Sequence, residues 1–131
     1  AFGEIARVLK PGGAFLSRFG PLFGSPHGYH LYWACQVPYA HLLFGLPGIV
    51  ALRNARAANE RHPARWEDLG LNARRFRDFR RAAVAAGLDI VRFDPVPVRG
   101  LHLAARLPWI GDLFIFGVDC NLRKNPVTHA R

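Results

Sequence analysis

Methionine is absent from all 131 residues, the initiator included. The expectation is an excerpt of a longer reading frame, opening at Ala1-Phe2-Gly3-Glu4 in what reads as helical sequence. No cationic, apolar, cleavable leader is read there, so a signal peptide is not expected. Cysteine is scarce: Cys35 and Cys120 are the only two. They stand far apart and form no CxxC pair, which excludes a small disulfide scaffold and suits buried thiols in a cytoplasmic chain. Long apolar runs are missing too. The longest, around Val37 to Leu52, is broken by Pro38, His41 and Pro47, which argues against a transmembrane segment. Lysine is nearly missing, since of 18 cationic side chains only Lys10 and Lys124 are not arginine. The net charge of +9 therefore comes from arginines scattered over the chain, without a nucleic-acid-binding signature. No nucleic-acid partner is expected. Internal repeats and low-complexity segments are absent as well.

What is present reads as globular. A hydrophobic fraction of 50% with 12% aromatic residues suits one domain, or one piece of a domain, with a real core. Phe2, Ile5, Ala6 and Leu9 recur at helical spacing and Lys10 suits a helix end. Pro11-Gly12-Gly13 then stops the helix before a short, mostly apolar strand from Ala14 to Phe19. A second helix is predicted over Gly48 to Arg61, ended by Pro63, its second half polar and solvated. The clearest element is LNARRFRDFRRAAVAAGLDIVRF, a helix capped by Asn72 and stopped by Gly87. On a helical wheel Phe76, Phe79, Ala83 and Ala86 share one side while Arg74, Arg77, Asp78 and Arg81 face the other. The arginine run thus reads as a solvated face.

Leu88 to Phe93 predicts a strand closed by Pro95 and Pro97, and Leu101 to Arg106 a short helical piece. Leu113 to Leu122, LFIFGVDCNL, predicts a further strand whose early apolar run suggests burial on both faces. This order implies an α/β layered fold, a sheet covered by helices. Three strands leave sheet edges unpaired, which again suggests a missing half.

GEIARVLKPGGAFL resembles, through Glu4, Arg7, Val8, Leu9, Lys10, Pro11, Gly12 and Gly13, one segment of class I S-adenosylmethionine-dependent methyltransferases. There a helix ending in an RVLKPGG-type turn feeds the fifth sheet strand. LNARRFRDFRRAAVAAGLDIVRFDP resembles that family's last helix and sixth strand. LFIFGVDCNLRKNP resembles its seventh strand, which inserts antiparallel between the fifth and sixth. The resemblance spans nearly the whole chain, and its most specific part is the LKPGG turn.

The resemblance implies the C-terminal half of a Rossmann-like methyltransferase sheet: strands five, six and seven, seven antiparallel, with covering helices. Residues 1–131 would then be the C-terminal portion of a single catalytic domain, with an insertion at about 20–70 after the fifth strand. It implies S-adenosylmethionine as cofactor, bound mainly by the glycine-rich loop and acidic residue of an N-terminal half outside this sequence. Gly12-Gly13, the only adjacent glycine pair, precedes a strand rather than joining a strand to a helix. No cofactor-binding residue is assigned, and the chain is expected to be inactive alone. The implied partners are that N-terminal half and a small-molecule, sugar or lipid acceptor.

HGYHLYWACQVPYAHLLFGLP, His27 to Pro47, gathers three of the six histidines just beyond the predicted strand of the LKPGG turn. Ligands in open α/β sheets bind beyond the carboxyl ends of strands. The Gly28-Tyr29-His30 element and Pro38-Tyr39-Ala40-His41-Leu42-Leu43-Phe44 also resemble pieces of related methyltransferases. His30 or His41 is expected to orient or deprotonate the acceptor, with His27, Trp33 and Tyr39 lining its pocket. The alternative is that these histidines are core or loop-holding residues. His27, His30, Cys35 and His41 have the chemistry of a zinc set, but Pro38 interrupts the segment and the spacing fits no zinc signature, so no metal ligand is assigned. The alternative function is a basic non-catalytic module binding nucleic acid or a membrane surface, the latter drawing on Leu42-Leu43-Phe44 and Ile49-Val50.

Overall fold

A computed structural model describes residues 1–57, 64–69 and 73–125. The chain begins with α1 (Phe2–Val8), whose successor Leu9 is already extended ahead of Lys10-Pro11. Gly12 takes φ of +75°, and a Cβ on Gly13 would lie 2.8 Å from the Lys10 carbonyl oxygen. The reversal therefore needs glycine at both positions. The cation at the end of α1 is not Lys10. Lys124 Nζ, from the far end of the fold, donates to the Ala6 and Leu9 carbonyl oxygens at 2.6 and 2.9 Å, satisfying acceptors that a helix end leaves open.

The turn delivers β1 (Ala14–Phe19), and β2 (Leu88–Pro97) and β3 (Ile115–Lys124) complete a three-stranded sheet. Its order is β1-β3-β2, with β3 antiparallel to both neighbours. β1 and β2 consequently run parallel to each other. The register sets Phe15 opposite Leu122, Ser17 opposite Cys120 and Phe19 opposite Val118, while Ile90 and Phe93 face Leu122 and Cys120 from the other side. Alternation puts all of these on one sheet face. Residues of α1 and of α4 (Phe76–Ala85) pack onto that face. The core so formed holds Phe2, Leu22, Ala83, Leu88, Ile115, Val118, Cys120 and Leu122. Phe19 meets Phe79 at 5.0 Å between ring centroids, and Phe76 meets Phe93 at 5.3 Å.

The opposite face is open at Leu16, Arg18, Arg92 and Asp94, where Arg18 pairs with Asp119 at 2.7 Å and Arg92 with Asp94 at 2.6 Å. The expectation that β3 is buried on both faces is therefore corrected. It is central within the sheet but covered on one side, and Phe116 stands exposed.

Other boundaries shift for identifiable reasons. Asn72, the expected cap of α4, lies outside the described residues; the cap position is Arg75, whose backbone N–H donates to the Asp78 carboxylate at 2.9 Å. Gly87, at φ of +72°, ends the helix as expected. β2 continues through Pro95 and Pro97 because it is an outer strand, where a missing N–H need not face a partner. Between β2 and β3 only Ala104–Arg106 and Gly111–Phe114 are helical, as single 3₁₀ turns.

A long excursion leaves β1 and returns at α4. It holds α2 (Ala40–Leu43) and α3 (Gly45–Arg56). α3 starts before the expected Gly48, with Pro47 in its first turn, where proline's missing N–H costs nothing. Arg61 and Pro63, its expected end, lie outside the described residues. The excursion has its own small core of Tyr29, Leu31, Ala34, Ala40 and Ile49. Among the described residues no helix is long and apolar enough to cross a membrane.

Candidate functional site

Beyond β1 the chain passes through the cis Gly20-Pro21 bond into tight turns. Ser25 is fully buried and its Oγ donates to the Leu22 carbonyl oxygen at 2.7 Å. A side chain on Gly28 would collide with the Leu22 and Phe23 carbonyl oxygens, so only glycine fits there. His30 and Tyr39 adopt left-handed φ values of 56° and 61°, sparsely populated for residues with side chains.

Ring side chains hold this irregular backbone. Tyr29, wholly buried, directs its hydroxyl to the Cys35 and Val37 carbonyl oxygens at 2.6 and 3.2 Å. Tyr39 donates to the Leu113 carbonyl oxygen at 2.9 Å, tying the excursion to the approach to β3. His30 Nε2 donates to the Pro21 carbonyl oxygen at 2.9 Å, and His41 Nε2 donates to that of Phe23. A carbonyl oxygen only accepts, so in each imidazole Nε2 carries the proton and the Nδ1 lone pair is left over.

The two histidines differ in where that lone pair lies. His41 is 2% exposed, with Phe23 at 4.8 Å and Tyr29 at 5.3 Å between ring centroids. Its Nδ1 is buried without a hydrogen-bond partner. Burial lowers its proton affinity below the ordinary histidine value, an effect the Phe23 carbonyl partly offsets. His30 is exposed, with its ring anchored at Nε2 on the Pro21 carbonyl oxygen.

Of the remaining candidates, His27 packs edge-on against Tyr32 at 4.7 Å and Tyr29 at 6.2 Å, its Nδ1 also buried and unpartnered. Tyr29 thus links His27 and His41 into one ring ladder with Phe23. Trp33 is exposed and, among the described residues, makes no ring contact. Burial raises the phenol pKa of both Tyr29 and Tyr39, keeping them neutral donors. Sequence reasoning missed the central part of Tyr29. The available signal was its position between two histidines, flanked by a glycine that leaves no room for a side chain.

No protein-family model, curated protein or solved structure matches this chain. The chemistry is therefore read from the atoms. Among the described residues, no three His, Cys, Asp or Glu side chains gather closely enough to hold a metal ion. At the centre of the ladder, Tyr29 and His41 are buried. His30, held on Pro21 just after β1, is, among the described residues, the exposed imidazole of the excursion.

Proposed function

We propose that this chain is the acceptor-side half of a class I S-adenosylmethionine-dependent methyltransferase domain, with His30 as the base that takes the acceptor's proton. The observation that carries the reading is topological. A helix and a Pro-Gly-Gly turn lead into β1, and the last strand inserts antiparallel between two mutually parallel strands. That arrangement joins the order of strands five, seven and six to the LKPGG resemblance.

The described residues do not by themselves fit the cofactor. β1 ends in Phe19-Gly20-Pro21 and β2 in Val96-Pro97, so neither parallel strand places at its carboxyl end a carboxylate that would hold a ribose. S-adenosylmethionine, the methyl source in such a domain, is accordingly assigned to residues outside this chain. What this chain contributes is acceptor handling. Nε2–H of His30 on the Pro21 carbonyl fixes the ring, and its free Nδ1 removes a proton from an oxygen or nitrogen acceptor. His41 and His27, packed around Tyr29, hold the loop that presents His30. The exposed Trp33 supplies an apolar wall for a small-molecule, sugar or lipid acceptor.

Calorimetric titration of the purified full-length protein with S-adenosylmethionine and S-adenosylhomocysteine tests the family reading, and binding of neither would overturn it. For the base, His30→Ala is expected to lower turnover by about 10²-fold or more with little change in thermal stability. Unchanged turnover would return His30 to a structural role.

A further inference from the structure

The segment between β2 and β3 displays apolar side chains that the core does not use. Leu103 is 79% exposed and Trp109 96%, with Leu101, Leu107 and Ile110 exposed beside them. This is a built turn rather than a frayed one. Backbone hydrogen bonds run from Ala105 N–H to Leu101, Leu107 N–H to Ala104, Ile110 N–H to Pro108 and Gly111 N–H to Leu107, all between 2.9 and 3.1 Å. A Cβ on Gly111 would lie 2.6 Å from the Ala105 carbonyl oxygen, so the turn closes too tightly for any other residue. Trp109, at φ of +73°, is held at its tip.

Facing this ridge across a cleft of about 1230 Å³ are Arg77, Arg80 and Arg81 of α4, with Arg106 on the ridge itself. Among the described residues no carboxylate pairs with these four guanidiniums, and Asp112 is the one acid lining the cleft. A solvated helix face and an apolar turn, each ordinary alone, here share one concavity. Guanidinium groups grip phosphate oxygens in a forked geometry, while tryptophan and leucine partition into the zone between lipid headgroups and acyl chains.

We propose that the 101–110 ridge and the arginine face of α4 form a docking surface for membranes carrying anionic phospholipid. The occupant is chosen by combining the two halves. A nucleic acid or a free phosphate would satisfy the arginines but give Leu103, Leu107 and Ile110 nothing to bury, whereas an anionic bilayer satisfies both. The inference is independent of the methyl-transfer reading.

The test is co-sedimentation of the purified full-length protein with vesicles of phosphatidylcholine alone or of equimolar phosphatidylcholine and phosphatidylglycerol. Binding to the anionic vesicles is expected to exceed binding to the neutral ones by at least about tenfold and to weaken as salt is raised. The double variant Leu103→Ser/Trp109→Ser, altering only exposed side chains, and the double variant Arg80→Gln/Arg81→Gln should each lose about tenfold or more of that binding. The emission difference between the wild type and Trp109→Phe reads this indole alone, and it should shift to the blue and resist acrylamide when anionic vesicles are added.

Equal partitioning to both vesicle types, or full binding by the Leu103/Trp109 variant, would overturn the proposal. So would a Trp109 shielded from acrylamide before vesicles are added, since another part of the protein or a second copy would then cover the ridge. Comparable binding to duplex DNA that survives the Leu103/Trp109 change would identify a nucleic-acid surface instead.

Discussion

The sheet with α1 and α4, and the excursion from Gly20 to Ala57, are ordered by different means. In the first, strand pairing satisfies the backbone, so side chains are free to be apolar, and the core is Phe, Leu, Ile, Val, Ala and one thiol. In the second, little of the backbone before α2 has a regular partner, and its carbonyl oxygens must be met otherwise. Ser25, Tyr29, His30 and His41 meet them with hydroxyl and imidazole donors, while Tyr39 ties the excursion to the Leu113 carbonyl oxygen. The polar residues that mark the excursion as chemically promising are thus, for the most part, the ones building it. His30 alone combines an anchored ring with an open face.

The comparison breaks if damage to one region spreads to the other, and the largest effect should come from the sheet. Leu122 is fully buried opposite both Phe15 and Ile90, so Leu122→Ala is expected to cost about 2–5 kcal/mol. A thermal melt should show the whole fold unfolding earlier. Tyr29→Phe removes a hydroxyl from two carbonyl oxygens and is expected to cost about 1–2 kcal/mol. Hydrogen exchange should then accelerate over residues 22–44 while β3 amides stay protected; equal acceleration in β3 would mean that the two regions are one cooperative unit.

The smallest effect is the pH response of His41, and it sharpens the contrast. Because burial depresses its pKa in the folded chain below the ordinary value of 6.5, the unfolded chain takes up the proton first. Stability is full above that ordinary value and is lost as pH falls through the depressed folded one. Exchange over residues 22–44 should therefore rise on mild acidification. His41→Gln, which keeps a donor for the Phe23 carbonyl, should flatten that response.

How much was legible follows the same division. The stripe of Phe76, Phe79, Ala83 and Ala86 reads correctly because helical spacing and burial are both local, and so does the Pro-Gly-Gly stop. Lys124 as the cap of α1 does not, since it arrives from 115 or more residues away. Pro95 and Pro97 mislead because a proline's tolerance in a strand depends on whether that strand is an outer one, which no window of sequence records. His30 and His41 look equivalent in the sequence and both rest Nε2 on a carbonyl oxygen, and only burial separates the exposed ring from the enclosed one. Trp109 goes unread, because its place outside is fixed by a closed turn and not by any local pattern.

The pairing of Arg18 with Asp119 joins residues 101 positions apart, and that span has a consequence for synthesis. β1 leaves the ribosome well before its partner β3, which is made after the excursion, α4 and β2. Until then β1 and β2 lack the strand that pairs with both of them, and no local contact can substitute. The three-stranded sheet is consequently assembled late, when the arrival of a single strand closes a long loop and gives both waiting strands a shared neighbour.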